Sequence, residues 1–227
     1  MPMCSKNVNG REEVNSEYNL LGNVPVIVLN FEEEELQPVR DEIAKIQNSF
    51  DSATTANHTL VGNIEQEYIL SESKSTIEQL LDPCVNHEMN GDFNLSLLSP
   101  INCDASLKLD DAWVNFMKKH EFNPVHNHGG AWSFVIWMEV PYDIEEEHAV
   151  DMSKNSKSPS SGHFAFVYTD GLGDITQEEI PVDRSYMNRG VLFPAALSHC
   201  VYPFSTSDEY RISISGNYKF EPREVKE

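Results

Sequence analysis

Positive charge is what this 227-residue chain has least of: sixteen Lys and Arg stand against thirty-seven Asp and Glu, a formal net charge of −21. A surface that grips a nucleic acid or an anionic membrane needs a basic footprint, so neither partner is expected and the acidity serves solubility. No apolar run approaches the length of a membrane span, and the first residues are polar, without the apolar centre of a secretory leader. The four cysteines, Cys4, Cys84, Cys103 and Cys200, are scattered, with no CxxC spacing. That excludes a disulfide framework or thiolate metal site as the organising feature and predicts free thiols in a reducing, cytoplasmic setting. Cys200 follows His199, but adjacent strand residues point to opposite faces, so a buried structural cysteine is expected there rather than a nucleophile with its base. There is no internal repeat.

What the chain does have is a change of periodicity partway along. Residues 1–22 are polar and aperiodic, the pattern of a loosely held arm. Residues 24–29 read as a short strand. Leu36, Val39, Ile43, Ile46 and Phe50 then recur at steps of three and four, an amphipathic helix with Pro38 tolerated in its first turn. Ser75 and Glu78 have the spacing of a capping box for a second helix, which Pro83 is expected to end or bend. From about residue 94 strands take over: Trp113–Met117, Ala131–Val140, His163–Tyr168, Val191–Phe193 and Tyr210–Tyr218. Short strands separated by turn residues predict a sandwich or barrel. Residues 143–162, acidic and then rich in Ser, Lys, Asn and Pro, read as a mobile loop, either a lid or an ordinary insertion. The expected organisation is an arm over 1–22, a supporting strand and helices over 23–92, and a β core over 93–227.

Eight histidines are present. His58, His87, His120 and His148 stand alone and are expected at the surface or as satisfied core residues. His126 and His128 differ, because a pair two apart on a strand turns both imidazoles to one face. Gly129 and Gly130 follow, allowing close approach. A third imidazole from His199 would close one face of a metal octahedron and leave positions open for substrate and oxygen. Arg211, twelve residues further on, stands where an anionic co-substrate would be anchored, with Ser213 on the same strand face. A surface ion pair with Asp208 or Glu209 is the plainer role for Arg211.

The stretches WVNFMKKHEFNPVHNHGGAWSFVIWMEVP and GVLFPAALSHCVYPFSTSDEYRISISGNYKF resemble the iron(II)/2-oxoglutarate dioxygenases. The likeness is closest to a 2-oxoglutarate–iron oxygenase family common in marine bacteria and their phages, often labelled prolyl-hydroxylase-like. It extends over about residues 58–220, specifically from Trp113 onward, with LVGNIEQEY as the main upstream match. It implies a mainly β fold, a double-stranded β-helix of jelly-roll, cupin-like form with N-terminal supporting helices. It implies Fe(II) and 2-oxoglutarate as cofactors, with His126 and His199 as ligands and Arg211 and Ser213 on the far carboxylate of 2-oxoglutarate. His128 stands where most members carry Asp or Glu; either His128 is the third ligand, or Asp170 or Glu139 supplies a carboxylate, or the site holds metal without efficient oxygen chemistry.

The resulting expectation is a dioxygenase that hydroxylates a C–H bond of a small-molecule or peptidyl substrate, releasing succinate and CO2. Nothing in these residues identifies proline as that substrate. Asn115, on the same face as Trp113, is a candidate contact to the co-substrate. Trp113, Trp132, Trp137 and Tyr168 either line the pocket or fill the core. The alternatives are a three-histidine cupin-type dioxygenase in which Arg211 binds the substrate's own carboxylate, or a non-catalytic jelly-roll binding module. A homodimer is left open.

Overall fold

The computed structural model describes residues 15–21, 24–90 and 105–222. Two antiparallel sheets make the framework. The larger contains β1 (Asn15–Leu21), β2 (Val24–Asn30), β3 (Gln66–Ile69), β4 (Ala105–Met117), β6 (Trp132–Glu139), β9 (Arg189–Pro194) and β11 (Arg211–Pro222), in the order β1-β2-β9-β6-β11-β4-β3. The smaller contains β5 (Asn123–His126), β7 (Phe164–Thr169), β8 (Ile175–Ile180) and β10 (Ser198–Val201), in the order β5-β10-β7-β8. The interleaved strand order gives the expected double-stranded β-helix.

The large sheet is buried on both faces, which explains why β6 reads as an unbroken apolar run. Side chains alternate across a strand. Trp132, Phe134, Ile136 and Met138 therefore face one core, while Val135 and Trp137 face another. The first core lies beneath α1 (Gln37–Gln47), through Val39, Ile43 and Ile46, and α2 (Lys74–Asn90), through Ile77, Leu81, Cys84 and Val85. The second lies between the sheets, where Phe164, Phe166 and Phe193 pack among one another and Trp137 meets Phe164 edge-on. Trp132 is thus core on the helix side, and Tyr168 packs at the margin of the inter-sheet core.

Several expectations need correction. Residues 15–21 are not part of a loose arm; they pair with β2 from Asn15↔Asn30 to Leu21↔Val24. Pro83 lies inside α2 without ending it, because Leu81, Cys84 and Val85 on either side are buried against the sheet. Ser75–Glu78 does not form a capping box: Glu78 instead accepts a hydrogen bond from the Leu109 N–H. The start of α2 is held by Glu42 of α1, whose buried carboxylate accepts from the N–H groups of Ser71, Glu72 and Ser73 and from the Ser73 hydroxyl. Cys4 and Cys103 fall outside the described residues; Cys84 and Cys200 are both buried. Among the described residues no helix is long and apolar enough to cross a membrane.

The segment 143–162 is also more ordered than expected. It contains α3 (Ile144–Ala149), and Glu147, fully buried, accepts from the N–H groups of Ser205 and Thr206 and from the Ser161 hydroxyl. A buried carboxylate with so many donors fixes the segment to the residues that lead into β11.

Burial would raise the Glu42 carboxyl pKa, yet the Ser73 hydroxyl and the three N–H donors outweigh it and hold the group below its ordinary value. Replacing Glu42 by Ala leaves those donors unmet and should cost about 2–3 kcal/mol in denaturant unfolding at neutral pH. A lowered folded value means that the contribution is complete above the unfolded pKa of about 4.3 and fades as pH falls through the folded one. The deficit of Glu42→Ala should therefore narrow on acidification below about pH 4.

Candidate metal centre

The site begins with a register. His199 on β10 lies directly opposite His126 on β5, so the two side chains leave the small sheet on the same face, with ring centroids 4.3 Å apart. His128 is not on the strand, which ends at His126. It sits in the following turn, held by its N–H to the Ala195 carbonyl at 2.8 Å, and its ring comes within 5.0 Å of His126 and 5.1 Å of His199. That turn closes through Gly130, whose φ of +111° and whose approach to the Tyr218 carbonyl leave no room for a Cβ. Gly129 meets no such constraint.

One ligand atom from each of the three imidazoles lies within 4.8 Å of the others. Two of the rings have their protonation set by the backbone: His126 Nδ1 lies 2.7 Å from the Pro124 carbonyl, and His199 Nδ1 lies 3.0 Å from that of Leu197. A carbonyl only accepts, so Nδ1 carries the proton and Nε2 keeps its lone pair for a cation. Burial, then the other rings, lowers the pKa of His128 to about 4 and of His199 to about 3, and burial lowers that of His126. All three are neutral donors at pH 7, the state a metal requires. The alternative carboxylates stand elsewhere: Glu139 pairs with Arg40, and Asp170 caps the turn before Asp174.

The imidazoles open on a cleft of about 110 Å³ between the sheets, lined also by Trp113, Asn115, Trp137, Arg211 and Ser213. Arg211 is 3% exposed and makes no ion pair with Asp208, which binds Lys119 instead. Its guanidinium donates to the Tyr142 hydroxyl at 2.8 Å, the Gly162 carbonyl at 3.0 Å and the Met117 sulfur at 3.0 Å. Among the described residues no carboxylate meets this buried charge, so its environment is incomplete without an anion. Asn115 accepts from the Trp113 indole and donates towards Ser213 and Ser215, forming a polar floor.

The sequence-predicted residues His126, His128, His199, Arg211, Ser213 and Asn115 thus converge on one cleft, joined by Trp113 and Trp137 but not by Trp132 or Tyr168. Sequence reasoning missed Tyr142 and Gly162, which hold Arg211 from just before and at the end of the segment read as a loop. It also missed Glu67 and Asn123 in the cleft wall. The Tyr142 signal was its place at the end of the apolar run of β6; Glu67 lay within the upstream stretch LVGNIEQEY.

Compared with known proteins, residues 111–217 match the model of the family described as "Putative 2OG-Fe(II) oxygenase". The fold is similar to that of a prolyl-4-hydroxylase from Pseudomonas putida, at a TM-score of 0.50 and 12% identity over 87% of this chain and 92% of that one. It is also similar to an oxidoreductase of the 2OG-Fe(II) oxygenase family from Burkholderia pseudomallei, at 0.44 and 15% over 86% and 84%. A third is HygX from Streptomyces hygroscopicus, solved with nickel, 2-oxoglutarate and hygromycin B, at 0.44 and 11% over 86% and 82%. No curated protein matches the sequence.

Two outcomes follow from the geometry. His199→Ala should abolish binding of a first-row divalent ion in titration calorimetry, whereas His148→Ala, which does not line the cleft, should leave it intact. Because the unfolded chain binds protons that the buried imidazoles refuse, metal-free protein should lose stability as pH falls below about 6.5. Thermal unfolding across that range should show a shallower pH slope in His199→Asn.

Proposed function

We propose that this chain, whose residues 111–217 match the model of a 2OG-Fe(II) oxygenase family, is an iron(II)- and 2-oxoglutarate-dependent dioxygenase that hydroxylates a C–H bond of its substrate. The observation that carries the reading is Arg211, a buried guanidinium with no carboxylate partner among the described residues, lining the same cleft as three neutral imidazoles. His126, His128 and His199 would hold the iron through Nε2 of the first and third and a ring nitrogen of the second. Imidazole and carboxylate donors with open positions are the donor sets that suit non-haem iron. When bound there, iron and 2-oxoglutarate supply the oxygen activation, with succinate and CO2 as co-products.

The remaining work belongs to side chains of this chain. Arg211 has a planar donor fork matched to a carboxylate, and Tyr142, Gly162 and Met117 fix that fork in position. Ser213, two residues on and facing the cleft, adds a hydroxyl to the same anion. Asn115, already held by the Trp113 indole, offers its amide to the co-substrate from the floor. The aromatic walls, Trp113, Trp137, Phe164 and Phe193, keep the cleft dry around the reacting atoms. Cytoplasmic operation on a small-molecule or peptidyl substrate, without nucleic acid or membrane, agrees with the acidic composition.

The all-imidazole donor set supports a second reading, a three-histidine dioxygenase in which Arg211 binds the substrate's own carboxylate and 2-oxoglutarate has no part. Formation of succinate from 2-oxoglutarate in step with oxygen uptake separates the two.

In the first reading Arg211→Gln weakens 2-oxoglutarate binding by roughly ten- to hundred-fold, the scale of a lost charge-assisted pair. Iron(II) affinity in the same variant should match the parent. Equal 2-oxoglutarate affinity in parent and variant, measured anaerobically with iron present, would remove Arg211 from this role.

A further inference from the structure

The cleft has a second charged wall. Glu67 and Arg211 are the charged side chains that line it, and they lie on strands separated by β4. Glu67 on β3 pairs with Asn115 on β4, and Asn115 pairs with Ser213 on β11, so one register row carries Glu67, Asn115 and Ser213 on the inner face. Glu67 is 1% exposed. Among the described residues no cation pairs with it, and its carboxyl receives one long hydrogen bond, from Asn57 Nδ2 at 3.2 Å. Burial, then the charge of Glu121, pushes its pKa up to about 7.

A second unmet acceptor lies beside it. Asn123, three residues before His126 on β5, has a buried Oδ1 with no hydrogen-bond partner. A Cβ on Gly62 would sit 2.2 Å from that oxygen and 3.4 Å from Glu67 Oε1, so both acceptors border the space that the missing side chain leaves. The Gly62 turn is pinned there by the Asn63 N–H on the Phe122 carbonyl at 2.8 Å. Leu60 and Val61 continue the wall outward as an apolar rim, Val61 being 56% exposed. One acceptor without a donor and a carboxyl with a single long one, kept from water, are the complement of a group that brings N–H donors and positive charge.

We propose that Glu67 and the side-chain oxygen of Asn123 bind a cationic nitrogen of the primary substrate, an ammonium or guanidinium, across β4 from the Arg211 end of the cleft. The inference rests on the dioxygenase reading for its use and names the substrate class of the same site. The substrate's cation completes the Glu67 pair, its aliphatic part crosses the Leu60–Val61 rim, and its reacting carbon is presented to the three imidazoles. A cationic group is favoured by this wall, whereas a neutral or anionic one gains nothing from it.

The test uses methylguanidinium and methylammonium chloride as probes, with acetamide as the neutral control, on the full chain carrying ¹³C-labelled glutamate. The Glu67 carboxyl signal is assigned by its loss in Glu67→Gln and followed by NMR at pH 7, near its midpoint. A saturable shift towards the carboxylate position with either cation, absent with acetamide, is expected, and calorimetry should show at least ten-fold weaker cation binding to Glu67→Gln. Asn123→Asp, which adds a second charge beside the first, should tighten cation binding several-fold and keeps the test open if Glu67→Gln fails to fold. Unsaturable shifts with both cations, or acetamide binding as well as they do, overturn the proposal. Because the titration is run on metal-free protein and repeated with iron(II) and 2-oxoglutarate, a loss of co-substrate binding counts against the dioxygenase reading alone.

Discussion

The cross-strand register that sets His199 beside His126 is the constraint from which the site grows. In an antiparallel pair, directly opposed residues share a face and keep their side chains within contact distance. A slip of one residue in β10 would send the imidazole of His199 into the other face and bring Cys200 in its place. The register is held by the other neighbour of β10, since His199 also lies opposite Phe166 on β7, whose ring is fully buried in the inter-sheet core. His128 depends on the same placement at one remove: its position comes from a turn anchored to Ala195, at the end of β9 just before β10 begins. The convergence of the three imidazoles is therefore a consequence of how the aromatic core packs.

Arg211 extends the logic to the opposite sheet. It opens β11, the strand that pairs on both sides with β4 and β6 and so lies in the interior of the large sheet. A guanidinium at that depth would be costly if unsupported. Tyr142 and the Gly162 carbonyl take two of its donor positions, and both come from the ends of the stretch that composition marks as a loop. Glu147 pins the middle of that stretch to Ser205 and Thr206, a few residues before Arg211. Holding the segment and orienting the guanidinium are thus one structural act rather than two.

The strands and the converging residues were legible in the sequence because each carries a local signature. Alternation marks β11, an apolar run marks β6, and HxH spacing followed by a distant His–Arg pair marks the cleft. What stayed hidden depends on tertiary context. Asn15–Leu21 has no apolar periodicity, and it is a strand because β2 offers it a complementary edge. Pro83 would break an isolated helix, but burial of the residues around it outweighs the lost backbone hydrogen bond. Segment 143–162 has a solvent-like composition, and the few residues that anchor it, Tyr142, Glu147 and Gly162, reveal their role only through partners distant in sequence. Glu67 was invisible for a similar reason: a glutamate in a polar stretch looks exposed until β4 and β5 close over it.

The charge balance ties these points together. A net charge of −21 repels anionic polymers over many contacts, yet a small dianion entering the cleft meets a different field. At physiological ionic strength exposed charges are screened beyond about 8 Å, so the distant acidic surface contributes little at the bottom of the site. Inside, where water is largely excluded, interactions strengthen and the nearest groups dominate. There the charged side chains are Arg211 on β11 and Glu67 on β3, separated by one strand and by the neutral row of Asn115 and Ser213. Opposite charges held apart in this way give the cleft a direction. An anion is favoured at one end and a cation at the other, and the three uncharged imidazoles open onto the same space. Such a site can order two different small molecules without relying on the sign of the whole protein.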